Sequence, residues 1–275
     1  MSELSFNTVL TTLLISNLLF SLSCLLFSNS NLILAVGYKT VLFILLLSVL
    51  RLLLPIDFTF TTNILMKGLP SEISSFIRTP RTASLGIHFS IWNILLLIWG
   101  CGTLIQAFLY FRQYKKIHAI ISTAGKDVTL DKKYTQILAS VQAAYGIHQH
   151  FTLIELPFLS SPMLFSIRMP CILLPAQNNY CETDLTYIFR HELAHFKHHD
   201  LLYKLFFQLV FIIYWWNPLK YLLQKQLNSL LEINVDSNLT KDPSDLIPYM
   251  ECLVNVKKQS ITSTEKQFNH YMLSL

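Results

Sequence analysis

Three stretches of this chain, about 7–27, 32–54 and 87–111, are apolar over some 20 residues or more. Crossing about 30 Å of hydrocarbon takes roughly 20 apolar residues, so each can span a bilayer as a helix. Composition agrees. Only 13% of the residues are charged, about half the roughly 25% of a soluble protein. The first seven residues carry Glu3 and no lysine or arginine, so the positive start of a cleavable signal is missing and the first run reads as a membrane helix. Arg112, Lys115 and Lys116 crowd together after the third run, with Lys126 beyond, which puts that side in the cytoplasm. The N-terminus and the 55–85 connector then lie outside. Net charge is +5 without a basic stripe interleaved with aromatics, so the bilayer, and not nucleic acid, is the expected partner. Five scattered cysteines with no CxxC pair suggest neither a disulfide framework nor a zinc ribbon.

From about Ile117 the composition becomes that of a soluble domain. Asp131 to Gly146 predicts an amphipathic helix, with Ile137, Val141 and Ala144 on one side and Gly146 as its stop. Residues 151–156 read as a strand, and two shorter strands flank Arg168–Pro170, where the prolines suit edges and turns. Residues 181–200 predict a helix with Glu182 and Asp184 in its first turn and basic residues in its last.

That helix carries His191-Glu192-Leu193-Ala194-His195. Positions i and i+4 share a helix face, so both imidazoles can meet one zinc ion while Glu192 sits beside it as general base. Leu185, Ile188, Phe189 and the small Ala194 suit a buried helix; a histidine-rich surface helix is the competing reading. A catalytic zinc needs a third protein ligand, and Glu232 is the best candidate. It opens Glu-x-x-x-Asp, with Asp236 one turn on to orient a ligand histidine through its free N–H. His198 and His199 compete for that place but read better as a basic helix end. Asp200 caps or supports the site, or marks the membrane boundary.

His195 and Glu232 can share a metal only if the chain between them returns to the side it left. The apolar run 201–216 is about 16 residues, short for a crossing. Trp215-Trp216-Asn217-Pro218 supplies interface aromatics and a helix-breaking turn. The expectation is a helical hairpin, about 201–231, lodged in the membrane interface.

The stretches HELAHFKHHDLLYK, YWWNPLKY and LLEINVDSNL, with SPMLFSIRMPCILLP upstream, resemble the BlaR/MecR-type membrane metallopeptidases, over about 160–239. That resemblance implies Zn2+ held by His191, His195 and Glu232, Glu192 as catalytic base and Asp236 in support. The family's strand pair normally carries glycine where Ser166 stands, four residues before Pro170. Family sensors continue into an extracellular penicillin-binding domain, and this chain shows no Ser-x-x-Lys acylation motif, so the expectation is a short, protease-only member or a truncated one.

The combined expectation is a mainly α membrane protein in two parts. Residues 1–112 hold three transmembrane helices, and 113–275 form a small α+β zinc metallopeptidase domain facing the cytoplasm, with the interface-embedded hairpin. It would be a multi-pass endopeptidase of a bacterial cell membrane, acting on a peptide or protein such as a transcriptional repressor, with a homodimer as an allowed assembly. A peptide-precursor processing enzyme, a quality-control protease of the HtpX type and a non-catalytic signalling scaffold are the alternatives.

Overall fold

The computed structural model describes residues 14–19, 21–22, 38–53, 72, 75–77, 79–82, 88–157, 159–176 and 180–273. The order of elements is α1 (Tyr38–Leu53), β1 (Arg81–Thr82), β2 (His88–Phe89), α2 (Ile91–Ala124), β3 (Lys126–Asp127), α3 (Lys132–Tyr145), β4 (Thr152–Leu156), β5 (Met163–Phe165), β6 (Cys171–Pro175), α4 (Glu182–Lys197), α5 (Asp200–Ile213), α6 (Leu219–Leu239) and α7 (Pro243–Leu273). Among the described residues the protein is mostly helical, with one four-stranded sheet and a two-stranded ribbon. Two compact units divide it: 1–111 with 207–230, and 112–206 with 231–275.

Helix α2, which begins in the first unit, is the one helix among the described residues long and apolar enough to cross a membrane, and none of its most apolar window is buried. The expected run 87–111 underlies it, yet the helix continues to Ala124 through the basic cluster. Lysine and arginine are good helix formers, so the basic residues change the helix's surroundings without ending it. Of the expected span 32–54, residues 38–53 are helical as α1, and the rest lies outside the described residues. Of the span 7–27, only 14–19 and 21–22 are described, and they are helical.

The expected helix–turn–helix at 201–231 is formed by α5 and α6. Asn217 makes its turn. The Asn217 Oδ1 accepts from the Leu219 N–H at 3.0 Å, capping α6, and its Nδ2 donates to Asn17 Oδ1 at 2.8 Å. The Trp99 indole on α2 donates to the Ile213 carbonyl at 2.9 Å, satisfying an orphan acceptor at the end of α5.

In the second unit the strand order is β3-β4-β6-β5, with β4 and β6 parallel and the other pairs antiparallel. Strand β6 is central and buried on both faces. Ile172 and Leu174 pack with Leu138, Val141, Leu185 and Phe189 of α3 and α4. Cys171 and Leu173, one residue out of phase, pack with Ile121 and Leu156. The expectation that prolines would keep to edges and turns needs correction, because Pro175 closes this central strand. It stands at the strand end, where few ladder bonds remain to lose. Helix α3 starts on Asp131, whose side chain accepts from the Lys133 N–H, and stops on Gly146 at φ 65°.

Strand β5 is an edge. The turn joining it to β6 carries Ser166 at φ 67°, a left-handed conformation that favours glycine. Replacing Ser166 by Gly is expected to stabilise the protein by about 0.5–1 kcal/mol, since relief of the backbone strain exceeds the added freedom of the unfolded chain. Chemical denaturation of the purified protein checks this, and a lower midpoint in the variant contradicts it.

Candidate metal centre

Helix α4 brings His191 and His195 onto one face, and the second half of α6 brings Glu232 to them. Ligand atoms of the three residues all lie within 4.8 Å of one another. The two Nε2 atoms are 3.1 Å apart, and Glu232 Oε2 lies 3.4 Å from the first and 3.6 Å from the second. Donors set about 2.0–2.2 Å from a shared tetrahedral zinc stand roughly 3.3–3.6 Å apart, so the two carboxylate separations fit such an ion, as does the N,N,O donor set, and the imidazole pair stands slightly closer.

The other ring nitrogens are engaged. His195 Nδ1 faces Asp200 Oδ2 at 2.6 Å, so Asp200 lies on the site and not merely at a boundary. Asp200 can do this because His199 takes φ 60° between α4 and α5 and turns the chain sharply. His191 Nδ1 lies 3.0 Å from the Tyr249 hydroxyl, which donates to Asp236 Oδ1 at 2.5 Å. His198 stays outside the converging set, its Nδ1 accepting from Asn234 Nδ2 at 3.0 Å.

Charge is concentrated here. The His191 and His195 imidazoles facing its oxygen hold the Glu232 carboxyl well below the usual carboxylate range, against the opposing effect of burial. Burial works against a charged His195, but the Asp200 and Glu232 carboxylates overcome it and raise its pKa to about 9. Glu192 is buried beside the pair, and desolvation pushes its carboxyl up although both histidines pull the other way. Its carboxylate accepts from the Leu164 backbone N–H, tying it to edge strand β5. A cleft of about 340 Å³ runs along these groups, walled by Met163 and Leu164 on β5 and by Tyr249, Leu253 and Val256 on α7.

Residues 43–274 match the family described as BlaR1 peptidase M56. The chain belongs to this family. The methicillin resistance mecR1 proteins of Staphylococcus aureus and Staphylococcus epidermidis are each 25% identical to it over 231 residues, 77% of this chain and 39% of their own length. The regulatory protein BlaR1 of Bacillus licheniformis is 29% identical over 154 residues, 56% of this chain and 24% of its own. The chain thus spans well under half the length of these relatives. Its His-His-Glu group is compatible with a metal site.

Two features of this M56 site have no signature in the sequence. One is Tyr249, which stands 13 residues after Asp236 on another helix. The other is the joint between α4 and α7. Arg190 makes a two-pronged ion pair with Asp245 at 2.9 and 2.7 Å, and Tyr187 donates its hydroxyl to the same carboxylate at 2.9 Å. Arg190 also lies over the Tyr187 ring. These hydrogen bonds hold the Asp245 carboxyl below its ordinary 3.8, Arg190 foremost, while the same partner raises the Arg190 pKa.

A depressed carboxyl pKa stabilises the fold fully above the unfolded value near 4, and that stabilisation is lost as pH falls through the folded value. The pair is three-quarters shielded from solvent and contributes about 1 kcal/mol. Asp245→Ala is therefore expected to lower Tm by roughly 2–4 °C at pH 7. The offset should shrink as pH falls below about 4 and through the folded value, and an offset that stays constant with pH would contradict this pairing.

Proposed function

We propose that this chain is an integral-membrane zinc endopeptidase that cuts a cytoplasmic or membrane-proximal polypeptide in regulatory signalling. The observation that carries the reading is the convergence of His191 Nε2, His195 Nε2 and Glu232 Oε2 beside the buried carboxyl of Glu192. His191, His195 and Glu232 would hold the ion. Bound there, zinc lowers the pKa of a water toward about 7 and polarises the scissile carbonyl.

The protein's own groups handle protons and position. Glu192, its carboxyl raised by burial, takes a proton from the attacking water and returns it to the leaving amide nitrogen as the C–N bond breaks. Its bond to the Leu164 N–H fixes that carboxylate against β5. The outer side of this edge strand can pair with an extended substrate, so that backbone hydrogen bonds set the register of the scissile bond. Asp200 orients His195 through Nδ1.

The membrane part of the proposal has three spans, 7–27, 32–54 and the start of α2, with the α5–α6 hairpin lodged at the interface. Its supports are the exposed apolar surface of α2 and the return of the chain from 207–230 to the unit that holds the histidines. The cluster of Arg112, Lys115 and Lys116 argues for a cytoplasmic site. The regulatory name of one relative favours a transcriptional regulator as substrate over a precursor peptide or misfolded membrane proteins.

The test is cleavage of a labelled unstructured polypeptide by the full-length protein in detergent. Hydrolysis that stops with a zinc chelator and resumes on adding zinc supports the proposal. Hydrolysis indifferent to chelation overturns it.

A further inference from the structure

Asp236 was expected to orient a ligand histidine directly, yet its Oδ1 lies 3.8 Å from His191 Nδ1, beyond hydrogen-bond distance. Tyr249 fills the gap. Its hydroxyl has one proton, and the 2.5 Å contact commits that proton to Asp236, since a carboxylate can only accept. The phenolic oxygen 3.0 Å from His191 Nδ1 is then the acceptor, so Nδ1 must carry the ring proton. A neutral imidazole has one N–H, which leaves Nε2 with a free lone pair on the side of His195 and Glu232.

The tyrosine is fixed for this role. It is 1% exposed, and it packs with Ala194, Val235 and Leu239. Its ring stacks on His191 at 6.4 Å with 23° between the planes. Asp245, one helical turn earlier on α7, is locked to Arg190, the neighbour of His191 on α4. Helix α7 is therefore pinned at the place from which Tyr249 reaches the histidine.

We infer that Tyr249 is a positioning residue of the metal centre, relaying Asp236 to His191 so that the His191 Nε2 lone pair is held toward the ion. The inference rests on the zinc reading above, and its test separates the two. Zinc Kd is measured on the full-length protein in detergent by competition with a chromophoric chelator. Tyr249→Phe, which removes only the hydroxyl, is expected to weaken binding about 10–100-fold. Asp236→Ala should do the same, and the double variant should be no weaker than the weaker single. Asp236→Asn keeps an oxygen that accepts from the hydroxyl and should retain most of the affinity, a result that does not depend on how Tyr249→Phe folds.

Thermal unfolding of the metal-free proteins should be nearly unchanged in Tyr249→Phe, which a merely structural role does not predict. Unaltered zinc affinity in Tyr249→Phe, or an Asp236→Asn variant as weak as Asp236→Ala, overturns the relay. A wild-type protein without zinc affinity overturns the metal reading itself.

Discussion

Replacing Glu192 by Gln is expected to remove peptide hydrolysis while leaving the zinc content of the purified protein unchanged. Glu192 is not among the three converging donors, so the ion loses no ligand. The amide keeps the size of the carboxylate and can still accept from the Leu164 N–H, so strand β5 stays in place. What disappears is the ability to take a proton from water. General-base catalysis contributes roughly 10²–10⁴-fold, and the loss in rate should fall in that range, about 3–5 kcal/mol in the barrier. Initial rates with a labelled polypeptide, together with elemental analysis, check both halves. Cleavage within a factor of ten of the wild type would assign the proton transfer elsewhere.

Glu232→Ala has the second large effect, and it falls on the metal. The Glu232 carboxylate is the only negatively charged member of the converging set, 3.4 and 3.6 Å from the two imidazoles. Outer partners of metal ligands are worth 10–100-fold in affinity, and a direct ligand should exceed that. Zinc affinity is expected to fall by more than about 100-fold, with hydrolysis lost in parallel. A variant that keeps its zinc shows that the third ligand is another group.

Much of this architecture is legible in the residues because it is dictated locally. Asp131 and Gly146 bracket α3 through a side-chain cap and a left-handed stop, both short-range effects. The spacing of His191 and His195 fixes their shared face once the segment is helical. The return of the chain from α5 to α6 follows from the need to bring Glu232 to the histidines, and Asn217-Pro218 marks where it turns.

What the residues do not announce depends on tertiary packing. Tyr249 and Asp245 act because α7 docks on α4, and no spacing rule links them to His191 and Arg190. The length of α2 is missed for another reason. Hydropathy falls at Arg112, but helix propensity does not, so the apolar run and the helix end at different residues. Ser166 is an intermediate case, where a familiar glycine position is recognisable but the φ of 67° that explains it belongs to the folded chain.

The central claim is one zinc ion held by two imidazoles and a carboxylate, with no thiolate. X-ray absorption of the zinc-loaded full-length protein tests it directly, because zinc–nitrogen and zinc–oxygen distances of about 2.0–2.2 Å are resolved from zinc–sulfur at about 2.3 Å. The predicted result is a nitrogen and oxygen shell with the multiple scattering of two imidazoles, reduced to that of one in any zinc that His195→Ala retains. A sulfur shell, or a protein that retains no zinc, would contradict it.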